Sequence, residues 1–163
     1  IQDLTLAGIR DTNGADLSAA ISRVATQIRP ELNRLDQDLT INIKDPLPKV
    51  SAGQIQLQAA IRNLLVNASK AAGENGVIRL NVRAPDNYCL HLEIEDSGCG
   101  FDTNYIPTGK EKSPSKTGGM GIGLMIVRRV VDDNGGKISF ENSQELGGAM
   151  VKISLNILPK SNL

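Results

Sequence analysis

The stretch Thr117 to Met125, TGGMGIGLM, places Gly118, Gly119, Gly121 and Gly123 within six residues and runs straight into Leu124 to Val131, which is apolar apart from Arg128 and Arg129. Glycine is a poor residue for a helix interior but suits a helix entrance, where a backbone without Cβ atoms takes positive φ and approaches a ligand closely. The unpaired N–H groups of a first helical turn then form a site for phosphate. A flexible linker would be a Gly/Ser mixture, whereas here the glycines are interleaved with Met, Ile and Leu. The fold must therefore start a buried helix at a position open to ligand, and a nucleotide's phosphates are the expected occupant.

A second helix is expected over about Gln54 to Ala72, with Leu57, Ile61, Leu64, Leu65, Ala68 and Ala72 on one face at ~100° per residue. Asn63, Asn67 and Lys70 fall roughly opposite, at i, i+4 and i+7. A solvated stripe would carry Glu, Lys or Gln rather than asparagine, a weak helix former. Two amides one turn apart with a lysine beyond them suit a divalent cation and phosphates, since amide oxygens can ligate Mg²⁺ and the ammonium balances phosphate charge.

The other elements follow from periodicity and punctuation. Asp16 caps a helix running to about Ile28, which Pro30 helps to close. Leu39, Ile41 and Ile43 alternate on a half-buried strand, Gly76 to Arg83 forms another, and Leu90, Leu92 and Ile94 point inward on the next. His91, Glu93 and Glu95 then face the other way, and His91 reads as an ordinary surface or interlayer side chain rather than a phosphoacceptor. Asp96-Ser97-Gly98-Cys99-Gly100 closes that strand with a carboxylate that can accept from an exocyclic amine while the glycines turn the backbone away. The irregular polar stretch Asp102 to Lys116, with Lys110, Lys112 and Lys116, lies between this turn and the glycine run and reads as a lid. Lys137 to Glu141 and Val151 to Ile157 are a closing strand pair joined through Gly147-Gly148.

The 163 residues suit one domain, and Lys plus Arg balance Asp plus Glu at 18 each, so no non-specific grip on nucleic acid or acidic lipid is expected. Aromatics at 2% disfavour base-stacking platforms. No apolar run approaches the ~18 residues of a membrane span and no secretory leader is visible, so a soluble domain is expected. Cys89 and Cys99 are too far apart along an extended strand to bridge, roughly 30 Å at ~3.3 Å per residue, and a reducing cytoplasm is the simplest setting. Cys99 reads as a small buried thiol. No P-loop lysine motif, strand-coupled dinucleotide fingerprint, zinc spacing or internal repeat is present.

The ordered set N-L-L-V-N-A-S-K, D-S-G-C-G and G-G-M-G-I-G-L, followed by N-G-G-K-I and G-G-A-M-V-K-I-S-L, resembles the catalytic and ATP-binding domain of bacterial sensor histidine kinases. That family shares a superfamily with gyrase, the ninety-kilodalton heat-shock chaperone and MutL. The match covers about residues 16 to 158. The resemblance implies a two-layer α/β sandwich of the Bergerat type, a mixed sheet of about five strands backed by three helices, with an ATP lid over about 102–118. It assigns residues 1–15 to the end of a dimerisation-domain helix and its linker, and 16–163 to the ATP-binding domain. By the same resemblance Asn67 holds Mg²⁺, Asn63 supports it and Lys70 contacts phosphate. Asp96 recognises the adenine amine with Gly98 and Gly100 shaping the pocket, and Lys116, Gly119, Met120, Gly121, Ile122, Gly123 and Leu124 complete the nucleotide-binding set.

ATP-hydrolysing members place a glutamate one helical turn before the magnesium asparagine, where this chain has Asn63, which cannot act as a general base. Slow hydrolysis and transfer of the γ-phosphoryl to a protein side chain are the implied chemistry. The chain departs from the family at the lid, where Tyr105-Ile106-Pro107 is a degenerate remnant of a Phe-rich box, and at Ala149, where threonine is usual. The implied partners are a histidine-bearing dimerisation domain of the same kinase, a homodimer through that segment, and a response regulator, with neither nucleic acid nor membrane contacting this domain directly. The chain alone is expected to bind ATP without autophosphorylating. A non-catalytic ATP-sensing module and a serine kinase of the anti-sigma-factor type are the alternatives on the same fold.

Overall fold

The computed structural model describes residues 13–44, 46–102 and 120–160, and main chain only for 120–122. Three helices, α1 (Leu17–Arg34), α2 (Gln54–Ala72) and α3 (Met120–Asn134), lie on one face of a five-stranded sheet. The strands are β1 (Asp38–Ile43), β2 (Val77–Arg83), β3 (Cys89–Asp96), β4 (Lys137–Asn142) and β5 (Ala149–Asn156), in spatial order β1-β2-β3-β5-β4. Only β1 and β2 run parallel, joined through the α2 crossover; every other pair is antiparallel. The two-layer sandwich that the family resemblance implies is thus the observed architecture.

The core lies between the layers. Leu57, Ile61, Leu64 and Leu65 of α2 meet Ile78 and Leu80 of β2 and Leu90, Leu92 and Ile94 of β3, all buried. Period-two alternation on the strands and 3.6-residue periodicity on the helices produce this division. α1 exceeds its expected end by six residues, with Pro30 inside the helix. Burial of Leu32 to 2% exposure in the final turn offsets the hydrogen bond that proline forfeits. β5 begins at Ala149 rather than Val151, because Met150 and Ala149 pair in register with Glu95 and Asn142. Glu95 does face away from the helices yet is buried, accepting from Ser143 Oγ at 2.6 Å and pairing with Arg79 at 3.2 Å.

One polar cluster fixes α3 to the sheet. Asn134 at its end donates through Nδ2 to the carbonyls of Ser51 (2.9 Å) and Asn156 (3.3 Å), and its Oδ1 accepts from Asn156 N at 2.8 Å. Asn134→Ala strands these partly buried backbone groups and is expected to lower stability by about 1–3 kcal/mol, read as a reduced urea midpoint at unchanged m-value.

Candidate functional site

The antiparallel pairing of β3 with β5 brings the end of one beside the start of the other, and the site grows from that junction. Asp96 closes β3 at 4% exposure. Its Oδ1 accepts from Gly98 N at 2.8 Å and from Ala149 N at 3.2 Å, while Oδ2 has no partner among the described residues. Burial pushes its carboxyl above the usual aspartate range, outweighing the two amide hydrogen bonds that pull it down. The backbone here admits no side chains: a Cβ on Gly98 would run into the carbonyl of Ala71 and one on Gly148 into Asp96 itself.

Beside Asp96 opens a cavity of ≈ 240 Å³ among the described residues. Its walls are apolar, from Leu64 and Ala68 of α2, Ile94 of β3, Leu124 of α3 and Val151 of β5. Phe101 adds a wall, held edge-on to Phe140 at a centroid distance of 6.1 Å and clamped by Asn142, whose Oδ1 accepts from Phe101 N at 2.7 Å and whose Nδ2 donates to Phe101 O at 3.2 Å. Apolar walls around one partly unsatisfied carboxylate suit a flat heteroaromatic ring bearing an amine.

At the other side of the cavity α2 and the first turns of α3 converge. Asn63 donates through Nδ2 to Ala59 O at 2.9 Å, one turn back. A Cβ on Gly123 would lie 3.2 Å from Asn63 Oδ1, tight enough to press on it, and in ordinary contact with Asn67 Nδ2 at 3.6 Å, so glycine lets α3 approach closely here. Asn67 Nδ2 is buried with no hydrogen-bond partner among the described residues. Lys70, exposed, lines the same cavity.

Asn67, Lys70, Asp96, Gly100 and Leu124 therefore share one cavity, with Gly98, Asn63 and Gly123 packed directly behind its walls. Met120, Gly121 and Ile122 form the first turn of α3. Lys116, Gly119 and all of the expected lid after Asp102 lie outside the described residues. Cys99 also lines the cavity but is exposed, contrary to the buried thiol expected, because the chain has left the strand at Asp96 before reaching it. Sequence reading missed the Ala149 amide, the Asn142 clamp and the closeness of Gly148 to Asp96; only the Gly147-Gly148 pair hinted at the last. Among the described residues no group of three His, Cys, Asp or Glu could hold a metal, and no helix is long and apolar enough to cross a membrane.

The position of Asp96 makes a pH prediction. A raised folded-state pKa means that the folded chain holds this proton more tightly than the unfolded one, so the stability Asp96 contributes is present at low pH and is lost as pH rises through the folded pKa. The proton goes on Oδ2, the oxygen without a partner, and weakens it as an acceptor for a ligand amine. Adenosine affinity should therefore fall on acidification at a pH above the ordinary aspartate range, and calorimetry with Asp96→Asn should show that step removed.

Residues 52–159 match the family described as histidine kinase-, DNA gyrase B-, and HSP90-like ATPase. The adaptive-response sensory kinase SasA of Synechococcus sp. (strain CC9902) is 30% identical over 137 residues, covering 78% of this chain and 36% of the relative. The chain thus spans about a third of the length of the curated relatives it matches. The catalytic domain of the histidine kinase ThkA superposes with a TM-score of 0.79 at 23% identity, covering 88% of this chain and 96% of that one. ThkA in complex with the response regulator TrrA superposes at 0.70 and 20% identity, covering 87% and 40%. With the family match extending over most of its length and the same sandwich found in solved kinases, this chain belongs to the histidine kinase-, DNA gyrase B-, and HSP90-like ATPase family.

Proposed function

We propose that this chain is the ATP-binding catalytic domain of a sensor histidine kinase, which transfers the γ-phosphoryl group of ATP to a histidine on a separate dimerisation domain for relay to a response regulator. The observation that carries this reading is the convergence on one cavity of a buried carboxylate, an asparagine with an unpaired buried amide nitrogen, and an early turn of α3 that Gly123 lets come close. Adenine would sit between the apolar walls with its amine on Asp96, and the phosphates would extend toward Lys70 and the start of α3. ThkA, seen with a response regulator, supports the relay by analogy of fold, and SasA supports the kinase activity by relatedness. Residues 16–163 would form the ATP-binding domain and residues 1–15 the end of the dimerisation segment, with the domain working in the cytoplasm.

The residues present fit Mg²⁺. Asn67 lines the cavity, and its side-chain carbonyl is an oxygen donor of the kind that Mg²⁺ takes. Asn67 would hold the cation together with the nucleotide, and when bound it would neutralise charge on the transferring group. Asp96 is the one carboxylate lining the cavity among the described residues, and it lies at the base-binding end, held by two amides. Asn63 cannot deprotonate water. Such a site retains the γ-phosphoryl for a better-placed nucleophile.

The test mixes this chain with the dimerisation segment of the same protein and ATP labelled in its γ-phosphate. The expected product is acid-labile, base-stable phosphate on the segment. Acid-stable phosphate would favour the serine kinase, nucleotide binding without transfer the sensing module, and rapid ATP hydrolysis by the chain alone would refute the absence of a general base.

A further inference from the structure

The three helices cover one face of the sheet, and the other face carries a basic row that the nucleotide site does not use. Register places Lys137 of β4 against Ser154 of β5, Ser154 against His91 of β3, and His91 against Arg83 of β2. Lys44 extends the row beyond Arg83, its N–H bonded to Val82 O at 3.3 Å. Arg83, His91, Lys137 and Ser154 line one shallow groove with Lys152 and Ser139 from the neighbouring row. Glu93 is the single acid in its lining, and Lys152 is already paired, with Glu141 at 2.6 Å. Arg83 and Lys137, both exposed, have no ion-pair partner among the described residues. Unlike charges normally intersperse on a surface, as they do two rows away at Arg79, Glu95 and Glu145. At this row, in a chain of zero net charge, they do not, apart from Asp86 near His91 at the turn between β2 and β3.

We propose that this row is a docking surface for an acidic, extended segment of a partner protein that lies across the strands. Four inter-strand steps of ~4.8 Å make a row about 19 Å long, which an extended chain at ~3.3 Å per residue spans in about six residues. Acidic side chains at alternate positions of that segment would meet Arg83, His91 and Lys137, and the Ser139 and Ser154 hydroxyls would donate to the same carboxylates. The row carries no Phe, Tyr or Trp on which a nucleic acid base could stack and no apolar side chain to enter a bilayer, so the charge pattern fits a peptide better than either polyanion. Contacts of this exposed kind are weak and salt-sensitive, suited to an interaction that is made and released.

Two-dimensional amide NMR of the whole chain, titrated with a hexaglutamate peptide and separately with hexaglutamine, tests this. The expected result is saturable shift changes for hexaglutamate alone, confined to β2, β3, β5 and β4 around Arg83, His91, Ser154 and Lys137. Raising the salt from low to high, or making Arg83→Glu with Lys137→Glu, should weaken binding at least about tenfold. Unchanged ATP affinity of the double variant would show that it is folded, and Arg83→Gln with Lys137→Gln provides a milder second variant. Shifts mapping elsewhere, equal response to hexaglutamine, no saturation at millimolar peptide, or tighter binding at this row of oligothymidylate or of phosphatidylserine vesicles would overturn it.

Discussion

Asp96→Asn is expected to weaken ATP binding about 10- to 150-fold and to reverse the preference between adenosine and inosine. The carboxylate spends one oxygen on the Gly98 and Ala149 amides and keeps the other without a partner among the described residues. An asparagine can preserve the first arrangement by keeping its carbonyl oxygen on those amides. Its NH₂ group then stands where Oδ2 stood, so a donor faces the purine 6-amine instead of an acceptor. Two donors repel and leave a buried polar group unpaired, while a purine bearing a 6-carbonyl finds its complement. Calorimetric titration of parent and variant with adenosine and inosine checks both parts. Equal loss for the two nucleosides would mean that Asp96 supports the turn between β3 and Gly98 without touching the base, and the adenine assignment would fall with it.

That prediction depends on two kinds of contact that were unequally legible in the sequence. The bounds of α2, the alternation of β2 and β3, and the placement of Asn67, Lys70 and Asp96 follow from periodicity and from local punctuation, because every residue involved lies within a few positions of its determinants. The Ala149 amide lies 53 residues from Asp96 and the Asn142 clamp 41 residues from Phe101. Nothing local marks Ala149 or Asn142 as parts of a binding cavity, since their roles arise only when β5 inserts between β3 and β4. Pro30 misled for a related reason. Its effect on the helix is local, but the burial of Leu32 that outweighs it is tertiary. Cys99 shows the converse error, a residue type commonly buried that the turn after Asp96 leaves exposed.

Asn67→Ala should separate stability from function more sharply than any other single change. The proposed role makes Asn67 the protein's oxygen ligand for Mg²⁺, so its loss is expected to reduce phosphoryl transfer to the dimerisation segment by about 10²- to 10³-fold, the scale of removing one preorganised electrostatic partner. The same amide is a liability to the fold: Nδ2 is buried and unpaired on a helix where asparagine has poor propensity. Alanine removes the unsatisfied group and is the best helix former, so the unliganded chain should gain about 0.5–2 kcal/mol, visible as a higher urea midpoint. A small cavity beside Gly123 takes back part of that gain. Asn63→Ala provides the comparison, because Asn63 already spends its Nδ2 on Ala59 O and little orphaned polarity is relieved by removing it. If Asn67→Ala transferred phosphate at the parent rate, or lost stability as a core truncation would, the amide would be a structural wedge between α2 and α3 and not a cation ligand.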